Sequence, residues 1–218
     1  MQNVGRMYTV SQSEITQWVN LLGEKGAARL RALSQLGRIG IRARDHRPLQ
    51  RGSLYTPARS FLNKANLAQL LEALSDPAPV VRRETAFVLG ELGGEAAISA
   101  LGPLAADPNA DVRLIAVDAL AKIGGPQAVQ ALSQAIHDDS ELVRARAVHA
   151  LGQLARGEGG PEAEVIRETL TRIRERDAST YVRDAAHEAL AALEGEEIIE
   201  APTPISELLW SPPTNSVS

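Results

Sequence analysis

Four copies of one short pattern run along this chain: an aspartate and, five residues later, a Val-Arg pair. The aspartates are Asp76, Asp107, Asp138 and Asp177, and the arginines are Arg82, Arg113, Arg144 and Arg183. Successive arginines lie 31, 31 and 39 residues apart, and each is followed seven residues later by a leucine. Recurrence at this period, with apolar residues at helical spacing, is typical of helix pairs stacked into a solenoid.

The repeat predicts an all-α fold, a right-handed α-solenoid of about five helix pairs. A degenerate first pair is expected near the start of the chain, where Arg29 aligns with Arg82. Prolines and glycines then interrupt the pattern before it becomes regular. The predicted parts are a degenerate helix pair at 1–40, a basic insertion loop at 41–64, regular repeats at 65–194, and a C-terminal tail at 195–218 whose prolines and small polar residues predict disorder when free.

Composition excludes several classes of protein. Aromatic residues make up only 3% of the chain, so close helix packing must replace bulky core side chains. The absence of cysteine excludes disulfides, thiolate metal sites and cysteine nucleophiles, and it fits a reducing, cytoplasmic location. No run approaches the length of a membrane span, and the first ten residues lack the apolar region of a secretory signal.

Charge is distributed unevenly along the chain, although the formal net charge is only −4. Residues 1–66 hold 11 Lys+Arg and 3 Asp+Glu, whereas residues 67–218 hold 12 Lys+Arg and 24 Asp+Glu. Such polarity can steer encounter with a charged partner or favour head-to-tail self-association. The count alone does not choose between them.

The repeated Asp and Arg residues could suggest acid/base chemistry, but their recurrence in every unit indicates a structural role. An aspartate in a turn can accept hydrogen bonds from helix amides, and an arginine can bridge to such a carboxylate between units. The chain has no P-loop, dinucleotide-binding glycine motif or serine nucleophile motif, and its four histidines lack metal-ligand spacing. We therefore predict no catalytic residue, no metal site and no cofactor.

The units that begin at Leu71 and Leu101, with their Asp-Pro turns and the Val-Arg pairs at Val81 and Val112, resemble HEAT-like repeats of the short bacterial type. This repeat type was first named for the phycobilisome (bilin) lyases. The resemblance covers residues 65–194 strongly and 14–40 weakly. It implies a protein-binding scaffold, since the family includes many adaptors without catalytic activity; it also admits a bilin lyase, a lyase subunit or a phycobilisome-degradation factor.

In solenoids of this type the second helix of each pair lines the concave surface, and positions there that vary between units can carry partner recognition. The alternative is ordinary solvated surface. Phe87 and Leu114 favour recognition slightly, because an aromatic and a leucine on adjacent ridges could form an apolar anchor. The candidate partner-binding residues on these helices are Arg83, Phe87, Leu114, Asp118 and His149.

Two further segments are candidates for partner binding. The basic insertion carries Arg42, Arg44, Arg47, Arg51, Tyr55 and Arg59. It predicts docking of an acidic protein surface; nucleic acid or anionic lipid, and a merely solvated loop, are the alternatives. The tail carries Ile205, Leu208, Leu209 and Trp210, which one helical turn could present together, either to this solenoid or to a partner, unless the tail is passive.

These observations predict a non-catalytic scaffold, adaptor or assembly factor that holds one or more proteins. The concave face, the basic insertion and the tail are the expected contact regions. The lyase or lyase-subunit reading, which depends on the family resemblance alone, is the alternative.

Overall fold

The computed structural model describes residues 12–45, 64–157 and 161–194. Within these ranges the chain forms ten α-helices and one 3-10 turn, with no β-strand. Consecutive helices pack as five pairs, so the predicted α-solenoid is confirmed. The helices are α1 (Gln12–Leu22), α2 (Ala27–Asp45), α3 (Lys64–Ala73), α4 (Pro79–Leu92), α5 (Glu95–Leu101, continued by the 3-10 turn Gly102–Ala106), α6 (Ala110–Ile123), α7 (Pro126–Ala135), α8 (Glu141–Gly157), α9 (Pro161–Arg176) and α10 (Thr180–Glu194).

One predicted boundary is wrong. The sequence pattern placed the end of the first helix pair at residue 40 and the start of a basic loop at residue 41, but α2 continues without interruption to Asp45. A glycine inside a helix costs only about 1 kcal/mol relative to alanine, so Gly40 does not stop it. Arg42 and Arg44 therefore belong to the helix, and the basic insertion begins after it.

Glycine and proline set the junctions between units. Gly93 and Gly124 end α4 and α6 with φ angles of 69° and 73°, in the left-handed region that glycine occupies without strain. Pro126 occupies the first helical turn of α7, where its missing amide hydrogen is not needed. At the start of α6, the Asn109 side chain accepts hydrogen bonds from the amides of Asp111 and Val112.

The core runs along the whole stack. In each unit the leucine that follows the repeated arginine by seven residues is buried, and consecutive pairs share one continuous apolar cluster. The apolar positions predicted for the second helices are therefore confirmed as core. Those leucines are Leu36, Leu89, Leu120, Leu151 and Leu190.

Glycines let the second helices approach one another closely. A Cβ atom at Gly90 would lie 2.6 Å from the Cβ of Ala119, and one at Gly152 would lie 2.8 Å from the Cβ of Ala189. The first helices, by contrast, meet each other at few points. The second helices therefore pack more closely than the first helices do. We call the exposed side of the layer formed by α2, α4, α6, α8 and α10 the inner face.

Candidate functional site

The repeated arginines and aspartates join neighbouring units, as predicted. We call this set the arginine ladder. Nε and Nη2 of Arg113 donate to the two carboxylate oxygens of Asp138 at 2.7 and 2.8 Å. Nη1 of the same arginine donates to the backbone oxygen of Asp107, in its own unit. Arg82 and Arg144 make the same two sets of contacts, so each of these three arginines fastens its own turn and the next. The inter-unit pairs are Arg29–Asp76, Arg82–Asp107, Arg113–Asp138 and Arg144–Asp177.

The ladder carboxylates also build the turns in which they lie. The carboxylate of Asp107 accepts a hydrogen bond of 2.9 Å from the amide of Asn109, two residues ahead. The same turn recurs at Asp138, which accepts from the amide of Ser140 at 2.8 Å. Both oxygens of these carboxylates are therefore engaged, which leaves them unsuited to proton transfer with a substrate.

The electrostatics of the ladder agree with a structural role. The hydrogen bond that Asp107 accepts from Arg82 lowers the pKa of the Asp107 carboxyl. Burial alone would raise the pKa of Asp138, but hydrogen bonds from Arg113 and from the Ser140 amide hold it below its usual value. The carboxylates are therefore held ionised, as buried partners of a cation must be.

The inner face does not present the apolar anchor that the sequence predicted. Phe87 is only 8% exposed and Leu114 only 5% exposed, so both belong to the core. Phe87 packs against Gly37 of α2, where an added Cβ would lie 2.8 Å from its ring, and Nζ of Lys122 lies 5.3 Å from the ring centroid. Periodicity placed these residues off the core stripe, but the close helix spacing encloses them.

Charged pairs cross between adjacent second helices on the same face. The Asp118 carboxylate, predicted to bind a partner, is buried and pairs with Nε of Arg146 at 3.0 Å. Glu91 on α4 pairs with Nζ of Lys122 on α6 at 2.5 Å. The Glu91–Lys122 pair was not predicted from the sequence, although the two residues carry opposite charges at equivalent positions of successive units.

Arg83 and His149 keep partial exposure among the predicted inner-face residues. Arg83 pairs with the neighbouring Glu84 on α4 at 2.8 Å. His149 lies on α8, and burial lowers its pKa, with Arg146 acting in the same direction and Glu188 opposing. The imidazole is therefore neutral at neutral pH and able both to donate and to accept a hydrogen bond.

A groove of about 130 Å³ opens beside His149, between α8 and α10. Its floor is made of small residues, since Gly152 packs directly on Ala189. Polar groups surround it: Gln153, Arg156 and Glu188 are all exposed, and Nε of Arg156 donates to the backbone oxygen of Ala192 at 3.1 Å. The volume is that of a single side chain, and it is smaller than the roughly 300 Å³ or more of pockets for drug-sized ligands.

The remaining predicted site residues stay predictions. Arg42 and Arg44 lie within α2, which places them on the first unit. The other basic-insertion and tail candidates fall outside the described residues: Arg47, Arg51, Tyr55, Arg59, Ile205, Leu208, Leu209 and Trp210.

Comparison with known proteins supports the fold and is less informative about activity. A family model for HEAT repeats matches residues 67–152. A search of curated proteins finds no significant match. In the part of the chain that the structure describes, no helix is both long enough and apolar enough to cross a membrane.

Solved structures of similar fold include designed armadillo repeat proteins and a phycocyanin lyase complex. A designed armadillo repeat protein in complex with the peptide (KR)4 superposes with a TM-score of 0.59 at 21% identity, covering 83% of this chain and 82% of the other. The complex of CpcE and CpcF of phycocyanin lyase from Nostoc sp. superposes with a TM-score of 0.57 at 18% identity, covering 82% and 99%. An engineered protein gives 0.56 at 22% identity, covering 83% and 80%. These similarities establish a HEAT/armadillo-type repeat solenoid.

Proposed function

We propose that this protein is a non-catalytic scaffold or adaptor that holds a protein partner on its inner face, centred on the groove between α8 and α10. The observation that carries the proposal is the contrast along this face. Asp118 and Glu91 pair with cations of neighbouring helices, whereas Gln153, Arg156 and Glu188 are exposed and line an open groove.

The chemistry of the groove fits a polypeptide. His149 and Gln153 offer both donors and acceptors, as required to bind peptide groups, and Arg156 and Glu188 supply one charge of each sign. A groove of about 130 Å³ holds one inserted side chain, which is how partner proteins commonly anchor. Peptide binding by a protein of similar fold, the designed armadillo protein, supports the same use of the solenoid.

A second contact in this proposal is the basic segment, which consists of the end of α2 and the residues directly after it. Arg42, Arg44, Arg47 and Arg51 would attract an acidic surface of the partner. Such an interaction raises the rate of association more than it lowers the rate of dissociation, so its contribution should fall as salt is added. This basic character also argues that the partner's docking surface is acidic.

The test uses the full chain as affinity bait in extract from its native source. Gln153→Trp fills the groove from an exposed position, and Gln130→Trp places the same side chain at an exposed position on α7, outside the inner face. We expect the first variant to lose a protein that wild type and the second variant retain in equal amounts. Equal recovery with all three baits would refute inner-face binding.

A lyase subunit is the second candidate, favoured by the superposition on the phycocyanin lyase complex over 82% of this chain. That lyase is a complex of two chains, so a test with this chain alone should measure bilin binding rather than turnover. A shift of bilin absorbance on mixing would support the lyase candidate. An unchanged spectrum, together with a captured protein that carries no bilin, would favour the scaffold.

A further inference from the structure

The arginine ladder has an open end at Arg183. Its Nη1 donates to the backbone oxygens of Asp177 and Ala178 at 2.7 and 3.2 Å, as the earlier ladder arginines do in their own turns. In Arg113 and Arg144, however, Nε and Nη2 also hold a carboxylate of the following unit. Among the described residues no carboxylate takes that place at the half-buried Arg183.

The sequence after α10 repeats the register of the end of a first helix. Aligning Pro212 with Pro77 places Ile205, Leu208 and Leu209 opposite three residues of the second unit that are buried in the core. Those three buried residues are Leu70, Ala73 and Leu74. The apolar motif therefore has the spacing of a first helix rather than that of an arbitrary apolar cluster.

This register also supplies a carboxylate. Glu207 aligns with Glu72, and the carboxylate of Glu72 lies 3.6 Å from Nη2 of Arg29, the ladder arginine of the first unit. Ser211 occupies the place of the ladder aspartate Asp76. The contact between Glu72 and Arg29 is therefore the precedent for pairing Arg183 with Glu207 rather than with Ser211.

The residues between α10 and the apolar motif are numerous enough for the motif to lie beside the start of α10. Ladder partners lie 25, 25 or 33 residues apart in the regular units, and residue 211 follows Arg183 by 28. The 15 residues of α10 span about 22 Å at 1.5 Å per residue. The ten residues 195–204 can reach about 33 Å when extended, enough to lead back from Glu194 to the start of α10.

We propose that residues 205–212 dock on the open end of the last unit of the same chain, with the Glu207 carboxylate on the guanidinium of Arg183 and Ile205, Leu208 and Leu209 packed against the α9/α10 pair. A second copy of the chain is a poorer source of the missing carboxylate. In the first unit the position of the ladder aspartate is Gly23, and Arg29 bonds the backbone oxygen of Leu22 instead.

The test measures alkylation of Leu209→Cys in the full chain, which contains no other cysteine. Position 209 is chosen because it aligns with the buried Leu74, whereas Trp210 aligns with the exposed Ser75. Docking should slow alkylation, and Glu207→Arg should lower the ratio of docked to undocked chains about threefold, the effect of losing one partly exposed ion pair. Glu200→Arg, the same charge reversal within the tail, is the matched control and should leave the alkylation rate unchanged.

Charge exchange provides the specificity check. Combining Arg183→Glu with Glu207→Arg should restore the protection of position 209 that Glu207→Arg removes, while circular dichroism verifies that the repeats remain folded. Alkylation of position 209 as fast as that of an unfolded peptide would overturn the proposal, as would a Glu207→Arg variant with an unchanged alkylation rate. Protection that depends on protein concentration would also overturn it, because a second copy would then supply the segment.

Discussion

Arg113 and Asp138 belong to different helix pairs, 25 residues apart in the chain, yet two hydrogen bonds of 2.7 and 2.8 Å join the guanidinium to the carboxylate. The same arginine holds the turn of its own unit through the backbone oxygen of Asp107. One side chain thus couples the shape of one turn to the position of the next unit. Because each unit contacts only its neighbours, such couplings determine how cooperatively the stack unfolds.

Replacing Arg113 by alanine should therefore destabilise the protein strongly. The change leaves the largely buried carboxylate of Asp138 without its cation, and loss of one partner from a buried pair costs about 3 to 5 kcal/mol. Urea unfolding followed by circular dichroism measures this loss. Arg176→Ala, at an exposed position near the end of α9, is the control and should change the free energy of unfolding little. Similar losses in both variants would show that a ladder arginine contributes no more to stability than an exposed arginine does.

The stability of the protein should fall in acid because of the ladder carboxylates. Asp107, Asp138 and Asp177 have pKa values below the usual range, so the folded state releases protons that the unfolded state binds. Their contribution is fully present above the ordinary aspartate pKa of about 4 and is lost as the pH falls through the lower folded values. Urea midpoints measured from pH 7 to pH 3 test this.

Asp138→Asn identifies the source of the acid effect. The variant should be less stable at neutral pH, and it should lose less of its remaining stability between pH 5 and pH 3 than wild type. An identical decline in both proteins would place the acid sensitivity elsewhere in the chain.

Gly90→Ala should destabilise the protein although alanine is the better helix former. The added Cβ would lie 2.6 Å from that of Ala119, so α4 and α6 must move apart, and overpacking of this kind costs about 1 to 3 kcal/mol. Gly102→Ala is the matched control, since nothing lies within 4 Å of its added Cβ. Thermal melting should show a lower midpoint for the first variant only; equal midpoints would mean that the helix spacing is not tight.

The basic segment should control the rate of partner association. Reversing Arg42, Arg44, Arg47 and Arg51 to glutamate should slow binding at low salt, and the difference should shrink once the Debye length falls to about 8 Å at physiological ionic strength. Surface plasmon resonance on the captured partner measures both rates. Reversing only Arg42 and Arg44 separates the helical part from the rest, and unchanged association in every variant would show that the segment takes no part.

Most of the fold could be predicted from the sequence because the repeat places the same apolar positions and the same turn in each unit. The ladder pairs were likewise predictable from the recurrence of Asp and Arg. Burial of Phe87 and Leu114 was not, since it depends on a helix spacing that contacts such as Gly90 to Ala119 make possible. Periodicity identifies one face of a helix but does not give the distance to the next helix.

The last unit and the groove beside it show the same limit of prediction from periodicity. His187 occupies the position that the buried Val148 holds in the preceding unit, but it is exposed because no further unit of the described chain packs against α10. The groove beside His149 was equally invisible in the sequence, since it arises where small residues of two helices meet.

Photo-crosslinking most directly tests whether the inner face binds a protein. A benzophenone amino acid at position 153 faces the groove, and the same residue at position 130 lies at an exposed position on α7, away from it. Irradiation in native extract should attach a discrete protein through position 153 and not through position 130. Crosslinks of equal yield at both positions, or at position 130 alone, would contradict inner-face binding.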